Sequence, residues 1–411
     1  MLTPRLATCL AAGGAACVMT IASGAPAAGQ AAVDVHPARL ATSEATGRDG
    51  LGPGAGSRVL SDLRHAWQIT RGRGVTLAVV DSRVDPSTAG LGGKVTSGPA
   101  MGKVSGHSDV NGTLLADAVA GDGPSGSNPF GTVGLAPDVR ILSVPVPVDA
   151  PYPAWERDDA RAIRYAADHG AEVIFVGIIG PDDLPALDRA VRYAVSRNCV
   201  LVASEYHVFH FASEPEVAVP DSLTGVLGAA SLVLPGMASP PLHYATPAND
   251  SILVAAPGNV ITVSGPAGPG YEIFNSFAAV AWLTATAALV KSVFHNLPPG
   301  LVARAIAVSA RDHPRGGYNT RIGFGLIDPA GALHAAARLA KMRLAARPGS
   351  RGTVGPAEHF GSWPGPGTIS AVHHSGARLA GYGGAMAAGL ALIVLAAALA
   401  WRWRRSSSQR D

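Results

Sequence analysis

From Val75 onward the chain alternates short, nearly unbroken apolar runs with stretches whose apolar residues recur at helical spacing. The runs are Val75 to Val80, Val139 to Val146, Ala171 to Ile179, Val200 to Ala203, Val226 to Ser231, Ile252 to Ala256 and Leu301 to Ala310. A strand without polar alternation has both faces covered, as in a parallel sheet. Between these runs, Asn111 to Ala120, Asp158 to His169, Leu184 to Arg197 and Ser276 to His295 have helical character. A further helix over Leu60 to Ile69, with Ser61 as its N-cap, precedes the first strand. The pattern predicts an α/β, doubly wound parallel sheet with helices on both faces. Ligands of such sheets sit at the carboxyl ends of the strands, and Asp81 directly follows the first one.

A dinucleotide site is excluded, because G-R-G (Gly72 to Gly74) precedes its strand and no G-x-G-x-x-G opens a helix. The formal charge of +3 over 411 residues, without a basic run interleaved with aromatics in the body, argues against a nucleic-acid partner. Residues 1–28 have Arg5 followed by an uncharged stretch with small residues at Ala25 to Ala28, the pattern of a signal peptide. An N-terminal anchor is the alternative, for which the strongly apolar part, Leu6 to Ala22, falls short of the ~20 residues of a span. Residues 29–58 form a flexible leader and residues 59–340 the α/β domain, followed by a Gly/Pro-rich stalk over 341–378. Leu379 to Trp401 carries no charge, so 379–402 is expected to span a membrane, with 403–411 as a tail. Arg402, Arg404 and Arg405 place that end in the cytoplasm and the domain outside. With Cys9 and Cys17 in the signal segment, Cys199 is left alone in an apolar run, as a small buried hydrophobe.

Four blocks carry a more specific signal. Thr76 to Asp81 reads T-L-A-V-V-D, and Asp109 to Gly121 reads D-V-N-G-T-L-L-A-D-A-V-A-G. Tyr271 to Val290 contains N-S-F-A-A-V-A-W-L-T-A-T-A-A-L-V, and Gly323 to Pro329 reads G-F-G-L-I-D-P. Their order and content resemble the subtilisin family of serine proteases, whose Asp, His-Gly-Thr and Gly-Thr-Ser segments follow one another in this sequence. The resemblance implies a subtilisin-like fold, with Asp81 at the orienting carboxylate, Asn111 at the histidine position and Ser276 at the nucleophile.

Serine proteolysis needs a base for the hydroxyl proton, a carboxylate to orient that base, and oxyanion donors. Asn111 has no usable basicity, and removing the histidine from subtilisin lowers kcat by about 10⁶. His107 is a substitute base only if its loop folds back onto position 111. Phe274-Asn275 stands where the family has Gly-Thr, and Val280 where it has proline. The oxyanion asparagine of the family falls near His207, whose imidazole N–H is a candidate donor. His207 and His210 form H-x-x-H, but without a matching Cys/His/Asp cluster they read as loop histidines, and neither a metal nor a cofactor is expected. Val173 to Ile179, V-I-F-V-G-I-I, matches the family's substrate strand with Phe175 and Gly177 at formerly polar places.

Signal peptide, subtilisin-like domain, stalk and a single C-terminal transmembrane helix, together with V-A-A-P-G-N-V-I-T-V (Val254 to Val263), are similar to the mycosins. These are membrane-anchored proteases associated with type VII secretion in actinobacteria. The resemblance implies a polypeptide substrate or ligand, and secretion-complex membrane proteins as partners. Three functions are open at this point. The chain is a catalytically impaired pseudoprotease with a structural or binding role, an active serine endopeptidase with a non-standard base, or an extracytoplasmic peptide-binding protein.

Overall fold

A sheet whose first strand lies in its middle organises the domain. The computed structural model describes residues 54–104, 110–123, 133–147, 154–177, 185–203, 223–239, 246, 248 and 250–345. The expected signal peptide, most of the leader and stalk, the transmembrane segment 379–402 and the tail lie outside these residues, as do His107, His207 and His210.

In chain order the elements are α1 (Ala55–Ile69), β1 (Thr76–Asp81), β2 (Val95–Ser97), α2 (Asn111–Ala120), β3 (Arg140–Pro145), α3 (Ala154–Asp168), β4 (Val173–Val176), α4 (Pro185–Ser196) and β5 (Val200–Ala203). They continue with β6 (Val226–Leu232), β7 (Ile252–Pro257), β8 (Ile261–Gly265), β9 (Gly268–Ile273), α5 (Asn275–Val293), α6 (Pro299–Ser309) and α7 (Pro329–Ala345). The seven-stranded sheet has the order β2-β3-β1-β4-β5-β6-β7, and its neighbouring strands all run parallel. The chain leaves β1 toward β2 and β3 on one side, then crosses to β4 on the other. β1 is therefore the switch strand, and the crevice of a doubly wound sheet opens at its carboxyl end, at Asp81.

Side-chain alternation divides the core into two layers. Leu77, Val79, Val173, Phe175, Val200 and Val202 face the layer that contains α2, α5, α6 and α7. Ala78, Val80, Ile174, Val176, Leu201 and Ala203 face α3 and α4. Cys199 is buried in the second layer with its thiol on Ala171 O (3.0 Å), and burial raises its pKa to about 11, as suits a packing residue.

α5 is buried nearly all round. Among the described residues it is the one helix long and apolar enough to cross a membrane, yet most of it lies inside the domain. Its single charge, Lys291, is 0% exposed and donates from Nζ to the carbonyls of His295 (2.6 Å), Asn198 (3.1 Å) and Leu297 (3.4 Å).

The structure departs from the sequence reading in several places. Leu301 to Ala310, expected as a strand, is α6: Pro298 and Pro299 start it, and Pro299, Val302, Ala303, Ile306 and Ala307 form one buried helical stripe. A short alanine-rich run carries too little periodicity to separate the two states. Ser61 is not an N-cap, since α1 begins at Ala55 behind Gly54 in a left-handed conformation. The antiparallel β8–β9 hairpin was not foreseen. α7 runs past the expected domain end at residue 340, to Ala345.

Candidate active site

Asp81 is buried at the end of β1, and its Oδ1 accepts the amide of Ser82 at 2.5 Å. The chain then turns against the start of α2. Ser82 Oγ accepts the amide of Gly112 (2.9 Å), while Thr113 Oγ1 donates to Arg83 O (3.2 Å) and accepts from the amide of Asp85 (3.0 Å). A Cβ on Gly112 would lie 2.2 Å from Ser82 O, so the N-G-T sequence permits this close approach. Asn111 is thereby fixed beside the Asp81 loop as the first residue of α2, and it is exposed. The other end of α2 is held from inside: Asp117 Oδ2 accepts the amide of Ser264 in β8 at 2.6 Å. Burial raises the pKa of Asp117 to about 6.

Ser276 is the second residue of α5, which packs against α2. The residue before it, Asn275, has φ 54°, a left-handed conformation that asparagine tolerates better than most side chains. Its amide donates to Gly258 O at 2.9 Å. A Cβ on Gly258 would meet Ser231 Oγ at 1.9 Å and Asn275 Cα at 3.2 Å. Next in sequence, the buried Asn259 side chain holds both backbone groups of Leu234, accepting from N (2.8 Å) and donating to O (3.1 Å). The P-G-N block thus supports the serine turn, a role the sequence reading did not assign to it.

The two apolar replacements on the substrate strand have local causes. Phe175 is fully buried and meets Phe277, the residue after Ser276, edge-on at 6.3 Å between ring centroids. Gly177 leaves room for the Asp81 carboxylate, since a Cβ there would stand 1.6 Å from Asp81 Oδ2.

One further acid was missed. Asp159 in α3 is 0% exposed, and among the described residues neither carboxyl oxygen has a hydrogen-bond partner. Burial, and then the charges of Asp81 and Asp158, push its pKa well above the ordinary carboxylate range. Its place on the apolar stripe with Ala162, Ile163 and Ala166 was the available sign. Among the described residues no group of three or more His, Cys, Asp or Glu is arranged to hold a metal ion.

The subtilase family model (Peptidase_S8) matches residues 72–325, which span β1, α2 and the serine turn. The chain belongs to the subtilase family. This subtilase is of the mycosin type: it is 30% identical over 323 residues to Mycosin-1 of Mycolicibacterium smegmatis, covering 66% of this chain and 70% of that protein. Identity to Mycosin-4 of Mycobacterium tuberculosis is 30% over 343 residues, covering 72% and 73% respectively. Among solved structures, MycP1 with its N-terminal propeptide removed superposes with a TM-score of 0.52 at 26% identity, covering 66% of this subtilase and 95% of that chain. MycP1 from the ESX-1 type VII secretion system superposes with a TM-score of 0.53 at 27% identity, covering 70% and 87%.

Proposed function

We propose that this subtilase is a pseudoprotease, anchored in the cell membrane by residues 379–402, whose extracytoplasmic domain has a structural or binding role in type VII secretion. The observation that carries the reading is the docking of Asn111. The Ser82–Gly112 contact holds α2 on the Asp81 loop with a carboxamide at the family's histidine position. A carboxamide cannot take the proton of Ser276, so the serine stays unactivated. The secretion role rests on relatives such as the MycP1 described as coming from the ESX-1 type VII secretion system. The segments 1–28, 29–58, 59–340, 341–378, 379–402 and 403–411 fit this topology as signal peptide, leader, domain, stalk, span and cytoplasmic tail.

The test treats the detergent-solubilised full chain and its Ser276→Ala variant with a fluorescent serine-reactive phosphonate, and screens both for peptide turnover. Equal, background labelling is expected. Ser276-dependent labelling with turnover would establish an endopeptidase with another base, such as His107. Isolation of membrane complexes that contain the chain then separates a secretion component from a free peptide-binding protein.

A further inference from the structure

The outer face of α3 and α4 carries charge that the catalytic site does not use. An open groove of about 550 Å³ between these helices is lined by Arg157, Arg161, Arg164 and Arg189, together with Asp158, Ala160 and Ala186. Among the described residues the nearby acids are already engaged. Glu156 is buried and accepts the Ala186 amide at 2.8 Å, which joins the two helices. Asp158 pairs with Arg161 (3.3 Å), Asp188 with Arg192, and Asp168 accepts the Tyr193 hydroxyl at 2.5 Å. Asp159 is fully buried and is not part of the groove lining. Among the described residues Arg157, Arg164 and Arg189 are exposed and pair with no carboxylate, and Arg164 lies over the Tyr193 ring at 4.8 Å. The whole chain has a formal charge of only +3, so this cluster is a local concentration.

We propose that the α3–α4 groove is a docking site for an acidic segment of another polypeptide, rich in Asp and Glu. Four arginines against the single carboxylate of Asp158 dominate the lining, and the planar fork of arginine binds carboxylates through paired hydrogen bonds and is less strongly hydrated than lysine. The groove is concave and follows two helices, which suits an extended or helical chain better than a flat bilayer. It also lies across the sheet from α7, the helix that leads toward the stalk. The site is independent of whether Ser276 is active.

The experiment uses the full chain in detergent and a fluorescent oligoglutamate peptide, read by polarisation. Binding that weakens with added salt is expected, with Arg157→Glu and Arg189→Glu each raising Kd about fivefold or more. Arg304→Glu, an exposed arginine on α6, is expected to stay within about twofold. Unchanged melting temperatures show that the variants are folded, and Arg157→Gln offers a milder substitution. The proposal is overturned if the peptide does not bind or if the groove variants behave like Arg304→Glu. It is also overturned if phosphatidylglycerol vesicles bind through these arginines more tightly than the peptide, which would make the face a lipid contact.

Discussion

Asp81 and Gly177 share one space: a Cβ added to Gly177 would stand 1.6 Å from Asp81 Oδ2 and 3.0 Å from Cε1 of Phe175. The first prediction follows from this crowding. Gly177→Ala is expected to rotate the Asp81 carboxylate or shift the end of β4, lowering stability by about 1 to 3 kcal/mol. Thermal unfolding monitored by circular dichroism measures the loss, and a melting temperature equal to that of the parent would contradict it.

Restoring the base tests how far the site has drifted. Asn111→His is expected to bring some Ser276-dependent phosphonate labelling while leaving peptide hydrolysis well below that of an intact subtilase. Phe274-Asn275 and Val280 still differ around the nucleophile, and loss of an oxyanion donor alone lowers kcat by about 10² to 10³. Full activity from the single change would mean that position 111 is the sole lesion.

Asp117 sets a pH dependence of stability. Its folded pKa, about 6, is raised above the usual 3.8, so the stability it contributes is complete below about pH 4 and is lost as pH rises through about 6. Replacing it with asparagine removes this trend. The stability of the parent minus that of Asp117→Asn is expected to fall by on the order of 3 kcal/mol between about pH 4 and pH 7. Urea unfolding at a series of pH values measures it, and a constant difference would refute the assignment.

Arg311 binds Asp62 of α1 through Nε and Nη2 (both 2.8 Å) and meets Asp328, at the head of α7, at 3.1 Å. Both carboxylates are buried. Arg311→Met leaves them facing each other uncompensated and is expected to lower stability by about 3 to 5 kcal/mol. Adding Asp62→Leu and Asp328→Asn should recover most of that loss, as the asparagine can still accept the Gly331 amide that Asp328 Oδ1 holds at 2.7 Å. Denaturant midpoints of the single and triple variants check both statements.

The sheet was legible because strands buried on both faces write themselves as apolar runs, and β5 and α2 fall on their expected bounds. α6 was not, because Ala and Val in a short run between prolines satisfy either period. At the candidate site, Asp81, Asn111 and Ser276 could be singled out by their neighbours in sequence. What positions them could not, since it joins distant residues: Gly258 to Asn275, Asn259 to Leu234, Asp117 to Ser264. Phe175 and Gly177 looked like lost substrate contacts, whereas Phe277 and the Asp81 carboxylate account for both.

Asn111 opens α2 from an exposed position, and Gly112 and Thr113 fasten the helix to the Asp81 loop. These two anchors do not use the side chain at position 111, so they can form with histidine there as well. A well-folded sample of this protein therefore says nothing about whether it cuts peptides. Only a reading of the chemistry itself, at Ser276, decides that.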